Sequence, residues 1–247
     1  MAIRAVLFDA LATLVAPRLP IYVQYSQTFE PYLGVLAPDL LKKSFKSALK
    51  QVQKEKPAYQ SGAEGWWGEV IRRTALGAGA DPQAVDRSLG EIVPRLLHRF
   101  SSREGYKLYD DSMPTLQRLQ STGIRTGVIS NTDARMRAVL DDLGATAYLG
   151  TILLSSEESI EKPAREMFLR ACARLGVQPS EAVHVGDELP ADYYGAKEGG
   201  LEALLVRRPG AEGEDEAKEP GEDLSGVAVV SGLAEVVDWV QRRNAAA

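Results

Sequence analysis

The chain opens with an apolar run, Ile3 to Phe8, of the length of one buried strand, and it delivers a carboxylate, Asp9, at its carboxyl end. Pro17 and Pro20 break that pattern. From Ile21 to Arg99 the apolar residues recur instead at three- and four-residue steps. Leu40, Leu41, Phe45, Ala48, Leu49 and Val52 form one such set, and Trp66, Trp67, Val70, Ile71 and Leu76 a second. Val85, Leu89, Ile92, Val93, Leu96, Leu97 and Phe100 form a third. Pro57, Gly62, Gly77, Gly79 and Pro82 punctuate the runs. The spacing predicts about four antiparallel helices inserted after the first strand.

Beyond Lys107 the periodicity alternates between strand and helix. Asp111 is positioned to cap a helix running to Thr122, with Pro114 in its first turn and Gly123 at its end. Thr126 to Ser130 reads as a strand, Thr132 or Asp133 as the cap of a helix through Leu143, and Thr151 to Leu154 as a short strand. Pro163 is expected to be the first residue of a helix reaching Leu175 and closed by Gly176. Val183–Gly186, Ala203–Val206 and Val227–Val230 complete the strands, and an amphipathic helix with Leu233, Val236, Val237, Trp239 and Val240 ends the chain. Such alternation predicts an α/β fold, a mostly parallel sheet with helices on both faces.

Composition narrows the function. At 247 residues, 45% hydrophobic and 26% charged, the chain has the make-up of a globular protein with one large core and a second, smaller one. No apolar run approaches the roughly 18 residues of a membrane helix, so no membrane partner is expected. No leader pattern precedes the first strand, which makes the cytoplasm the expected location. One cysteine, Cys172, and two histidines exclude a disulfide framework and leave little for a zinc site. The net charge of −5 is concentrated: Glu212, Glu214, Asp215, Glu216, Glu219, Glu222 and Asp223 stand against Lys218, while the remainder is near neutral. Nucleic-acid binding therefore has no electrostatic footprint. The acidic run 212–223 reads as a solvated loop, with docking of a basic protein partner as its functional reading.

The informative polar residues fall at strand ends. Asp9 ends the first predicted strand and Ser130–Asn131 the second; Lys162 lies in the loop after the third, and Gly186–Asp187 ends the fourth, with Asp192 shortly after. In an open α/β sheet, carboxyl ends of strands share one crevice. Carboxylates, an ammonium, a hydroxyl and backbone amides gathered there suit a phosphate bridged by Mg²⁺. His184, flanked by Val183 and Val185, and Cys172, on an apolar helix face, read as core residues. Trp66 and Trp67 are expected to fill the core of the inserted helices, the alternative reading being that one faces the crevice and touches substrate.

In order and placement these clusters resemble the motifs of the haloacid dehalogenase superfamily, from Ile3 to about Val206. Phe8–Leu14 is similar to its first motif, Val128–Asn131 to its second, Glu161–Pro163 to its third, and His184–Asp187 through Asp192 to its fourth. The resemblance implies a Rossmann-like hydrolase core, residues 1–16 and 105–247, carrying an inserted α-helical cap, residues 17–104. It implies Asp9 as a nucleophile that forms an aspartyl-phosphate, with Lys162 neutralising charge and Thr13 fixing the loop. Mg²⁺ would be held by Asp9, the Leu11 carbonyl, Asp187 and Asp192, and phosphoryl oxygens by Ser130 and the Asn131 amide. The implied substrate is a small phosphorylated metabolite.

One departure matters. Phosphatases of the superfamily carry an acid/base Asp two residues after the nucleophile, where this chain has Leu11, followed by Ala12. Neither side chain exchanges protons, and such help is worth about 10²–10⁴ in rate. Three readings follow, in order of preference. The first is a slow or selective phosphohydrolase, and the second a catalytically silent phosphate-binding or interaction module. The third is a haloacid dehalogenase, whose halide leaves unprotonated. Against the third stand the magnesium-type Gly186–Asp187 and the lack of any arginine between Arg18 and Arg72.

Overall fold

A computed structural model describes residues 1–59, 62–209 and 221–246. They divide into two compact units: Met1–Ala16, Leu108–Thr132 and Leu143–Ala247 form one, and Pro17–Lys107 with Asp133–Asp142 the other.

The first unit is built on a six-stranded sheet. In chain order its strands are β1 (Ala5–Phe8), β4 (Arg125–Ser130), β5 (Thr151–Leu154), β6 (Ala182–Gly186), β7 (Glu202–Val206) and β8 (Val229–Val230). Across the sheet the order is β5-β4-β1-β6-β7-β8, and every pairing is parallel. β1 has neighbours on both sides and both faces covered, which is why all four of its residues are apolar and buried. The remaining pair of strands, β2 (Val15–Pro17) and β3 (Tyr106–Leu108), forms a separate two-stranded ribbon. Helix α8 (Arg165–Leu175) lays Met167, Phe168, Ala171 and Cys172 against Leu7, Ile129, Leu153 and Leu205. This is the α/β, Rossmann-like architecture expected from the alternating pattern.

Several local expectations are corrected. α8 starts at Arg165, not Pro163, because Glu161–Ala164 closes a turn through Ala164 N–H to Glu161 O at 2.9 Å. Asp111 precedes helix α5 (Ser112–Ser121) but makes no side-chain cap there. Its carboxylate instead accepts from Leu233 N–H at 2.7 Å, the start of the last helix, α10 (Leu233–Ala245), and from Arg208. Trp239 on α10 is half-buried, not a core residue. Of the acidic run, residues 212–220 lie outside the described residues; Glu222 pairs with Arg207 at 2.6 Å.

The second unit contains the four helices that the 3.6-residue spacing predicts: α1 (Ile21–Leu33), α2 (Pro38–Glu55), α3 (Ala63–Gly77) and α4 (Pro82–Arg99). Tyr25, Phe29, Leu41, Phe45, Trp66, Ile71, Ile92 and Leu96 make its core. Pro82 in the first turn and the Asp81 carboxylate, accepting from Ala84 N–H at 2.8 Å, start α4. Helix α6 (Arg135–Asp142) also groups with these helices. Asp133 explains why: it caps α6 through Arg135 N–H at 3.0 Å, binds the Arg135 guanidinium, and accepts from the Trp67 indole at 2.6 Å. A cavity of about 20 Å³ among Tyr25, Trp67, Tyr106 and Arg135 has room for roughly one water molecule. Among the described residues no helix is long and apolar enough to cross a membrane.

Candidate active site

Register decides what meets at the sheet edge. Phe8 pairs with Val128 on one side and with Val185 on the other, so Asp9, Ser130 and Asp187 all leave the sheet at one end. Asp9 N–H still donates to Val185 O at 2.8 Å, which fixes the residue to the end of β1. Beyond it the chain turns tightly: Leu14 and Val15 N–H both donate to Ala10 O, and Ala12 N–H to Val15 O. Leu11 is half-buried and bridges to Val15, and Ala12 sits in the left-handed region at φ 60°. The motif-four side is shaped by Gly186. A Cβ there would lie 2.6 Å from Asp192 Cβ and overlap its carboxylate, so glycine is required for Asp192 to fold back from the π-helical turn Leu189–Tyr194.

Three carboxylates, of Asp9, Asp187 and Asp192, have oxygens that all lie within 4.8 Å of one another, and all three residues are buried. Lys162 Nζ donates to Asp9 Oδ1 and to Asp192 Oδ1, each at 2.6 Å. Asp192 is held further by His184 Nε2 at 2.8 Å and by Glu188 N–H at 3.0 Å. Burial raises the Asp9 carboxyl to about 6 despite the Lys162 ammonium. Burial raises Asp187 well above the usual carboxylate range, with the Asp9 and Asp192 charges adding to it. Burial acts on Asp192 in the same sense, but Lys162 and His184 outweigh it and hold this carboxyl far below its usual value. Desolvation would lower the Lys162 ammonium, yet Asp192 and Asp9 keep it above its ordinary value. One ammonium against three carboxylates leaves an excess of negative charge on hard oxygen donors, which fits a small divalent cation such as Mg²⁺. The buried Thr13 hydroxyl, on the loop that follows Asp9, has no partner among the described residues.

Of the sequence-derived residues, Asp9, Lys162, Asp187 and Asp192 are in contact or close approach at one edge. Both ends of the Asn131 side chain serve the Lys162 backbone: Nδ2 donates to Lys162 O at 2.9 Å and Oδ1 accepts from Lys162 N–H at 2.7 Å. Asn131 therefore places the lysine loop through its side chain. Ser130 is buried at the last position of β4, beside β1. His184 belongs to the network behind the site: its ring stacks edge-on against Phe168 and its Nδ1 has no partner among the described residues. The two-residue strand period was the available signal, because it puts His184 and Gly186 on one face. Arg207 and Arg208 also reach these loops, and nothing in their local sequence marks them.

Residues 3–200 match the haloacid dehalogenase-like hydrolases. The haloacid dehalogenase-like hydrolase domain-containing protein 3 of Danio rerio is 30% identical over 212 residues, spanning 83% of this chain and 86% of its own. The glyceraldehyde 3-phosphate phosphatase of Methanopyrus kandleri is 30% identical over 208 residues, with 83% and 84% covered. The crystal structure of a dehalogenase with an intermediate complex superposes with a TM-score of 0.71 at 20% identity, over 96% of this chain and 97% of that one, a likeness of fold. The matched span runs through every cluster from Asp9 to Asp192, and the chain belongs to the haloacid dehalogenase-like hydrolases.

Proposed function

We propose that the chain is a Mg²⁺-dependent phosphohydrolase acting on small phosphorylated metabolites, and that it favours leaving groups able to depart without a proton. The observation that carries this reading is the buried trio Asp9, Asp187 and Asp192, tied by Lys162 and flanked by Ser130 at one sheet edge. A phosphatase among the relatives of 30% identity supports the substrate class.

An Asp9 oxygen would attack phosphorus, the bond from phosphorus to the ester oxygen would break, and the phosphoryl group would pass to Asp9. Lys162 holds Asp9 Oδ1, orienting the nucleophile and balancing charge as it develops. Ser130 and the Asn131 backbone N–H would bind phosphoryl oxygens. Mg²⁺, held by Asp9, Asp187 and Asp192 with the Leu11 carbonyl, would neutralise phosphoryl charge. Leu11 supplies no proton to the departing oxygen and removes none from the water that must release Asp9. A phenolate leaves without that proton; an alkoxide does not.

The test assays an aryl phosphate beside an alkyl phosphate, with and without Mg²⁺, for wild type and Leu11→Asp. The aryl ester should turn over only with the metal, and Leu11→Asp should speed the alkyl ester by about 10²–10⁴. Equal turnover of both esters by wild type would contradict the missing-acid argument. No turnover of either, with phosphate and Mg²⁺ still bound, would favour a silent binding module, the reading that the inert Leu11 and Ala12 side chains support next best.

A further inference from the structure

Two consecutive arginines follow β7, and each grips a backbone carbonyl of a loop that carries the carboxylate cluster. Arg208 stacks on Tyr109 at 3.8 Å, donates to both Asp111 oxygens at 3.0 and 2.9 Å, and donates to the Thr13 carbonyl at 3.1 Å. Arg207 pairs with Glu222 at 2.6 Å, donates to the Val206 carbonyl at 3.0 Å, and donates to the carbonyl of Asp187 itself. Arg207 N–H is anchored in turn to Val230 O at 2.9 Å, so the arginine is fixed at its backbone and its tip.

Asp187 depends on this contact more than its neighbours depend on theirs. Asp9 and Asp192 are each oriented by hydrogen bonds to their own carboxylates. The Asp187 carboxylate accepts none among the described residues, is buried, and faces two like charges. Its direction is therefore set by its backbone, and Arg207 holds that backbone at the carbonyl. A guanidinium suits the task because it serves three acceptors in a fixed plane, which a lysine ammonium on a flexible stem does not.

We propose that Arg207 is a positioning residue that sets the affinity of the carboxylate cluster for Mg²⁺ by holding the Asp187 carbonyl. This rests on the cation-binding reading of Asp9, Asp187 and Asp192. Glu222 is a partner of Arg207 and, among the described residues, makes no hydrogen bond to the Asp187 loop, so it separates the brace from the ion pair.

Calorimetric titration with Mg²⁺, paired with thermal unfolding in chelator, tests the idea on the full chain. Arg207→Met should weaken Mg²⁺ binding about 10- to 100-fold, the usual loss when a supporting partner of a metal ligand is removed. Glu222→Gln should bind Mg²⁺ like wild type, whatever it does to the unfolding temperature. Should Arg207→Met not fold, Arg207→Lys keeps the charge opposite Glu222 but cannot also hold the carbonyl, and must still weaken binding. Unchanged affinity in the arginine variants, or equal losses in Arg207→Met and Glu222→Gln, would overturn the inference while leaving the proposed function standing. A wild-type protein that binds no Mg²⁺ would instead overturn the function, and the brace with it.

Discussion

Replacing Asp187 by asparagine should stabilise the metal-free protein and abolish its response to Mg²⁺. Unit charges 4.8 Å apart at an effective dielectric constant of about 20 repel by about 3.5 kcal/mol. With every group ionised, Asp187→Asn removes two such repulsions, from Asp9 and Asp192, and forfeits one attraction to Lys162, so the relief has an upper bound of about 3 kcal/mol; protonation of the raised Asp187 carboxyl already claims part of it. Seating the new amide takes back a further part, and at about 2–4 °C per kcal/mol for a chain of this size the metal-free variant should melt higher by a few degrees, with a ceiling of about 10 °C. The assay is thermal unfolding near neutral pH, in chelator and then with Mg²⁺. Wild type should gain about 2.7 kcal/mol at a hundredfold excess over the dissociation constant, and the variant nothing. A variant that melts lower than wild type in chelator, or one stabilised by Mg²⁺ equally well, would refute the electrostatic account of the site.

Three further outcomes are expected. Ala12→Gly should raise stability by about 1 kcal/mol, because a left-handed alanine at φ 60° is strained by about 1–2 kcal/mol and glycine is not; denaturant unfolding measures it. Gly186→Ala should lower stability by about 1–3 kcal/mol and weaken Mg²⁺ binding, since the added methyl meets an Asp192 carboxylate pinned by Lys162, His184 and Glu188; unaltered binding would show that Asp192 can move aside. Folded Asp9 titrates at about 6 and unfolded Asp at 3.8, so between these values the folded state binds more protons and its stability rises as pH falls. Melting temperatures in chelator should therefore climb from about pH 7 toward about pH 4, and saturating Mg²⁺ should remove that trend, because protons then compete with the cation.

The class of fold and the inventory of the site were legible in the order of residues. Four helical stripes between Ile21 and Arg99 and the alternation beyond Lys107 follow from periods of 3.6 and 2, which are local properties of the chain. Because strand ends in a parallel sheet converge, Asp9, Ser130, Lys162, Asp187 and Asp192 could be assigned to one edge before any distance was known. How those groups share their bonds was not legible there and follows from packing. Asn131 faces the Lys162 backbone, His184 backs Asp192, and Asp111 caps α10 in place of α5, because each polar group takes the partner that packing brings near, and not the nearest one in sequence. Arg207 and Arg208 illustrate the limit most plainly. Their neighbours in the chain are unremarkable, and only the sheet order, which sets β7 beside β6, carries them to the loops they brace.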